Sequence, residues 1–157
     1  MHQLPPGYKL RRVNSSDFDA VIKTLQVLTT VGDVSQAKFD EILEYWEQTR
    51  ITIKGNQVPA YNMFVITDDA DRAVATGTVL IEKKIIHCGG LVGHIEDIAV
   101  SRDQQGKSLG RMMIEHLTTY AHDLGCYKVI LDCSDENVGF YKRCGYLKAG
   151  VEMSHRL

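Results

Sequence analysis

Apolar positions along this chain recur at two periods, and their alternation predicts an α/β fold. Tyr8 to Val13 mixes apolar and basic residues as a short strand does. Asn14-Ser15-Ser16 supplies side-chain oxygens for a helix start, and Phe18, Val21, Ile22, Leu25 and Leu28 follow as one apolar stripe. That helix should stop near Thr29-Thr30-Val31-Gly32. Ser35 is placed to cap a second helix with Phe39, Ile42, Leu43 and Trp46 on its buried face. Lys54 to Pro59 reads as a polar turn region.

Strand signals dominate the middle. Met63 to Thr67, Val74 to Glu82 and Val92 to Val100 are rich in β-branched residues, with Asp68-Asp69-Ala70-Asp71 as a hairpin turn between the first two. Leu109, Met113, Leu117, Tyr120 and Leu124 mark a helix that ends at Gly125. Lys128 to Cys133 reads as a strand, a short helix through Phe140 and Tyr141 follows, and Gly145 to Met153 is expected to hold a last strand. No repeat or linker interrupts the chain. The expectation is a tail over 1–7 and a single domain over 8–157.

Composition removes function classes rather than choosing one. The 157 residues suit one domain, and the 44% hydrophobic and 24% charged fractions exclude a disordered chain. A formal net charge of −2 gives no general pull toward nucleic acid or an anionic membrane. No apolar run approaches the roughly 18–20 residues of a membrane span. The start, M-H-Q-L-P-P-G, lacks a signal-peptide core, so a cytoplasmic location is expected. Cys88, Cys126, Cys133 and Cys144 form no C-x-x-C pair, so reduced thiols and no metal are expected. His94-x-Glu96 matches half of a zinc-deaminase signature, but the P-C-x-x-C half is missing.

The most informative stretch is Gly93 to Arg111, G-H-I-E-D-I-A-V-S-R-D-Q-Q-G-K-S-L-G-R. An acid-bearing apolar segment enters a polar loop with two glycines, and an amphipathic helix follows at once. The first amides of a helix have no internal partners and carry partial positive charge, so this order builds an anion site for a diphosphate. Ser101 to Ser108 lacks the first glycine of the P-loop pattern and follows antiparallel strands, which argues against a nucleotide triphosphatase. No G-x-G-x-x-G occurs, so a dinucleotide fold has no support.

Gln105-Gly106-Lys107-Ser108-Leu109-Gly110 resembles the acetyl-CoA loop of the GCN5-related N-acetyltransferase (GNAT) superfamily, Q/R-x-x-G-x-G/A, with Ser108 where the pattern has its first glycine. A position of that kind with φ > 0 would be strained for serine. Val27–Gly32 (V-L-T-T-V-G), Lys84–His87 (K-I-I-H), Gly93–Val100, Leu131–Cys133 (L-D-C) and Asn137–Tyr146 (N-V-G-F-Y-K-R-C-G-Y) are similar to the eukaryotic glucosamine-6-phosphate N-acetyltransferase family within it. The resemblance implies the GNAT fold, a central mixed, mostly antiparallel twisted sheet flanked by helices. It also implies acetyl transfer from acetyl-CoA, as co-substrate, to the amine of glucosamine 6-phosphate.

The resemblance assigns residues as well. Ile98, Ala99, Val100, Gln105, Gly106, Lys107, Ser108, Leu109, Gly110, Asn137 and Tyr141 are expected on the CoA side, with Arg102 and Arg111 as supplementary cations. Tyr141 is expected to stabilise or protonate the leaving thiolate, since a phenol donates a hydrogen bond and is neutral at pH 7. Asp132 is expected to hold or orient the amine. Glu96 and Asp97 are expected at the sugar hydroxyls, although adjacent strand residues face opposite ways unless a bulge intervenes. Ile98 is expected beside both substrates. Arg156, Thr29, Lys128, Lys84 and His87 are the candidates for the sugar phosphate side. A homodimer with a sugar site shared between subunits is implied too. A peptide N-acetyltransferase and a non-catalytic acyl-CoA module are the alternatives.

Overall fold

The computed structural model describes residues 3–157, so Met1 and His2 of the expected tail lie outside the described residues. The rest of that tail is not a free end. Leu4 packs against the main core, and the Tyr8 amide bonds the Pro5 carbonyl at 3.2 Å.

In chain order the elements are β1 (Lys9–Arg12), α1 (Phe18–Leu25), α2 (Gln36–Gln48), β2 (Arg50–Ile53), β3 (Asn56–Pro59), β4 (Tyr61–Thr67) and β5 (Ala73–Lys83). A single turn α3 (Ile86–Gly89), β6 (Leu91–Val100), α4 (Leu109–Asp123), β7 (Cys126–Ile130) and α5 (Val138–Arg143) complete them. Five strands form one sheet in the order β1-β4-β5-β6-β7, antiparallel except for the parallel β6/β7 pair. This is the mixed, mostly antiparallel α/β architecture expected from the sequence.

Helices cover both faces, and β4 shows why. Met63 and Val65 point toward Val21 and Phe39 of α1 and α2, while Phe64 and Ile66 point toward Met113, Ile114 and Leu117 of α4. A strand sandwiched this way reads as a continuous apolar run. The first helical segment starts from a capping box, in which the Asn14 side chain accepts from the Ser16 amide and Asp17 accepts from the Asn14 amide. Ser35 caps α2 through the Lys38 amide, as expected.

Several expectations need correction. Leu28 lies beyond the end of α1 and is half exposed, because the helix closes three residues earlier than its apolar stripe. The polar region over 54–59 is half of a hairpin: Lys54 and Gly55 both take φ > 0, the geometry of a two-residue turn joining β2 to β3. The strand expected at Lys128–Cys133 is β7, displaced toward the N-terminus, because its length is set by pairing with β6. No strand forms over 145–153 among the described residues. An isolated strand has no ladder to satisfy its backbone, and that segment pairs with nothing in its own chain.

Candidate active site

β6 and β7 begin side by side and then part. Their ladder runs from Leu91↔Cys126 to His94↔Ile130, and beyond it β6 keeps only β5 as a paired neighbour among the described residues. The β7-facing edge of residues 95–100 is therefore an open notch of backbone donors and acceptors. On its other edge, Asp97 and Ile98 together oppose the single Gly77, since Thr78 pairs with Glu96 and Thr76 with Ala99. At this bulge Asp97 takes a left-handed conformation, φ 54°, and the Thr76 hydroxyl donates to its carbonyl at 3.2 Å. The extra residue breaks the alternation of faces, so Glu96 and Asp97 are both exposed. Space is tight behind them. A Cβ on Gly77 would stand 2.7 Å from Ile98 Cδ1 and from Met113 Cγ.

Beyond β6, the loop turns through Gly106 (φ 80°) and Ser108 (φ 62°) into α4. Ser108 precedes the helix but makes no side-chain cap. Met112 is the first amide of α4 with an intrahelical partner, the Ser108 carbonyl at 3.1 Å. The amides of Leu109, Gly110 and Arg111 have no hydrogen-bond partner among the described residues and can receive an anion. They open on a groove of about 640 Å³ bounded by Ile98, Ala99 and Val100, by Gln105, Gly106, Ser108, Leu109 and Gly110, and by Asn137 and Tyr141. All these residues are among those expected there. Lys107 is expected there too, but it is not in the groove wall: its ammonium bonds the Tyr8 hydroxyl at 2.9 Å and Gln104 Oε1 at 2.8 Å. Arg111 lines the groove with its Nε engaged by Glu115 at 2.9 Å, whereas Arg102 is exposed outside it.

Tyr141 stands at a junction. It lines this groove and also a second cavity of about 740 Å³, which Asp132, Cys133, Tyr146 and Glu152 help to bound. Its ring packs edge-on against Phe140 at 5.0 Å and Tyr146 at 6.3 Å, and the Tyr146 hydroxyl is anchored on Thr118 at 2.5 Å. Burial, reinforced by the neighbouring Cys133, Cys144 and Tyr146, raises the Tyr141 phenol above its ordinary range, so it keeps its proton. Glu96 is also raised, first by partial loss of water and then by the carboxylates of Asp97 and Asp132. The notch thus faces an acidic corner.

The remaining substrate-side candidates do not converge within one chain. Lys84 pairs with Glu82 at 2.7 Å, and His94 holds the other oxygen of that carboxylate at 2.7 Å. The His87 ring lies 4.2 Å from Tyr127, and the Lys128 ammonium is 5.8 Å from the same ring. These groups sit near Leu91, at the end of the ten-residue β6 opposite to the groove, roughly 20 Å from its wall at Ile98 at the usual strand rise. Thr29 is exposed just past α1, and Arg156 is exposed with no hydrogen bond or ion pair among the described residues. No cluster suited to a metal ion occurs among the described residues.

Residues 22–146 match the model of the acetyltransferase (GNAT) family. Over 152 residues the chain is 47% identical to a glucosamine 6-phosphate N-acetyltransferase of Candida albicans, covering 96% of each protein. The chain belongs to the GNAT family, among its glucosamine 6-phosphate N-acetyltransferases. The Arabidopsis thaliana relative of the same name is 36% identical over 94% of this chain and 95% of its own length. Its crystal structure superposes with a TM-score of 0.84 at 35% identity, covering 95% of this chain and 97% of that one.

Within this GNAT chain, the groove also uses residues to which the motifs assigned no role. Val27 and Leu28 come from the segment just past α1, Gln104 from the loop, and Phe140, Arg143 and Cys144 from α5 and its end. Arg143 and Phe140 were visible inside N-V-G-F-Y-K-R-C-G-Y, and their adjacency to Tyr141 was the usable signal. Leu28 carried a misleading one, since it continued a helical stripe.

Proposed function

We propose that this chain transfers the acetyl group of acetyl-CoA to the amine of D-glucosamine 6-phosphate, giving N-acetyl-D-glucosamine 6-phosphate and CoA on the route to UDP-N-acetylglucosamine. The observation that carries the reading is Tyr141, the one candidate proton donor that borders both the helix-start groove and the acidic second cavity.

In this reading the CoA diphosphate rests on the amides of Leu109, Gly110 and Arg111, and the pantetheine arm lies in the notch along Ile98, Ala99 and Val100. An open backbone N–H of that edge polarises the thioester carbonyl. Asp132 orients the amine, and Glu96 and Asp97 hold the sugar hydroxyls. The amine nitrogen attacks the carbonyl carbon directly in a ternary complex, with alignment supplying much of the rate. The C–S bond then breaks, and the Tyr141 hydroxyl gives the departing thiolate a proton. The amine's own proton leaves to solvent, and solvent returns one to the Tyr141 phenolate, which restores the enzyme.

The sugar phosphate falls to Arg156, Thr29, Lys128, Lys84 and His87, gathered from two copies of the chain. Support for a homodimer with a shared sugar site comes from the exposed apolar Leu147, Val151 and Met153, which belong to a segment without a pairing partner in its own chain. A cytoplasmic setting and reduced thiols complete the reading, with no metal in the reaction.

Release of CoA thiol, followed with glucosamine 6-phosphate and separately with glucosamine, tests it. Turnover is expected with the phosphorylated sugar and far less with the free one. Turnover with neither overturns the reading, and equal turnover with both removes its phosphate part. Tyr141→Phe is expected to lower kcat by roughly 10²-fold or more, the usual scale for a lost general acid.

A further inference from the structure

The loop that leads into α4 is held by a residue from the opposite end of the chain. Tyr8 donates its hydroxyl to Gln104 Oε1 at 2.5 Å, and Lys107 Nζ donates both to that hydroxyl at 2.9 Å and to Gln104 Oε1 at 2.8 Å. Three side chains thus close a triangle, and the same ammonium lies 5.6 Å from the centre of the Tyr8 ring. Tyr8 is a firm anchor. Its ring and Leu4 pack on the main core, and the next residue, Lys9, opens the ladder of β1 with β4.

The loop has need of an anchor. Two left-handed residues, Gly106 and Ser108, flank Lys107, and the helix beyond them starts without a side-chain cap. Gln104 lines the groove and Lys107 does not. The lysine that lies nearest the helix start therefore has its donors directed at Tyr8 and Gln104.

We propose that Tyr8 is a positioning residue for the diphosphate loop: by fixing Gln104 and Lys107 from the edge of β1, it sets the amides of Leu109 to Arg111 in place before acetyl-CoA arrives. The proposal rests on reading the groove as the acetyl-CoA site. Lys107 then acts through the loop rather than on the diphosphate. Ordering the loop in advance lowers the entropy lost on binding, so the effect belongs to acetyl-CoA affinity and not to the acceptor.

The test measures the acetyl-CoA dissociation constant by calorimetry, without any acceptor, for the wild type, Tyr8→Phe, Lys107→Met and the double variant. Phenylalanine keeps the packing and the ring and removes only the hydroxyl. Each single variant is expected to bind roughly three- to tenfold more weakly, as loss of one or two hydrogen bonds implies. The double variant is expected to be little worse than the weaker single one, because the two residues act as a unit. In steady state, Tyr8→Phe is expected to raise the KM for acetyl-CoA while the KM for glucosamine 6-phosphate at saturating acetyl-CoA stays put. Wild-type affinity in Tyr8→Phe, fully additive losses, or equal losses toward both substrates with a lowered Tm would each overturn the proposal. A wild type that binds acetyl-CoA but does not acetylate the sugar phosphate defeats the acceptor reading and leaves these binding comparisons decisive. A wild type that binds no acetyl-CoA defeats both.

Discussion

Ser108 is a serine in a conformation that favours glycine, φ 62° at the entrance to α4. Its side chain gives nothing back, since it makes no cap bond. Replacing it with glycine should raise stability by about 0.5–1 kcal/mol, the usual cost of a left-handed non-glycine residue less the added chain entropy. Thermal unfolding of Ser108→Gly checks this, and an unchanged or lower Tm contradicts it. Glu96 supplies a second case at the same scale. Its carboxyl is raised in the folded protein, so the folded state binds a proton more readily than the unfolded chain. Stability from this group is therefore lost as pH rises from the ordinary carboxylate range through the raised folded value. At neutral pH Glu96→Gln should be more stable than the wild type, and the gap should close as pH falls below that range. Denaturant titrations across pH measure the gap, and a constant difference would refute desolvation and carboxylate repulsion as its cause. Tyr141 and Asp132 entered the candidate site because each lies in a short contiguous motif, and the fold sets both on one cavity. The bonds of Lys107 to Tyr8 and Gln104 were not legible, because spacing fixes a residue's position in the loop and not the direction of a long, flexible side chain.

At the scale of elements, the decisive feature is a mismatch of one residue between β5 and β6. Gly77 faces Asp97 and Ile98 together, and the room it leaves is filled by Ile98, Met113 and Leu117. Gly77→Ala must move side chains on both the strand and α4. A loss of roughly 1–3 kcal/mol is expected, as for other overpacked cores, together with weaker acetyl-CoA binding through the displaced Ile98. Chemical denaturation and calorimetry read the two effects; wild-type behaviour in both would show that the bulge tolerates a methyl group. Adjacent carboxylates in one strand pointed to a bulge as one solution, but not to its partner, because register across a sheet is set by two strands at once. The β2/β3 hairpin was hidden for a related reason. Its turn is only Lys54-Gly55, and the polar residues after it, Asn56 and Gln57, are the exposed half of a short strand. The strand expected over 145–153 carried the right local pattern but had no neighbour to pair with.

On the scale of the whole molecule, one chain holds the CoA half of the proposed site and scatters the phosphate half. A site shared between two copies has a consequence that a site within one chain does not. Asp132→Asn and Arg156→Ala should each be nearly inactive alone, yet regain activity when unfolded together and refolded as mixed dimers. One of the two sites in each mixed dimer then receives an intact Asp132 from one copy and an intact Arg156 from the other. No recovery in mixtures of proven dimers would return Arg156 to its own chain or to no role. The sequence named the candidates and left their meeting place open, since contacts across an interface leave no periodicity in a single chain. The notch between β6 and β7 carries a last implication. Residues 95–100 present a strand edge with no ladder partner among the described residues, the kind of template on which foreign strands add and proteins self-associate. Acetyl-CoA lying along that edge would occupy it as a neighbouring strand does, and at a hundred times its dissociation constant would add roughly 2.7 kcal/mol to stability. Catalysis and solubility then draw on the same few backbone groups.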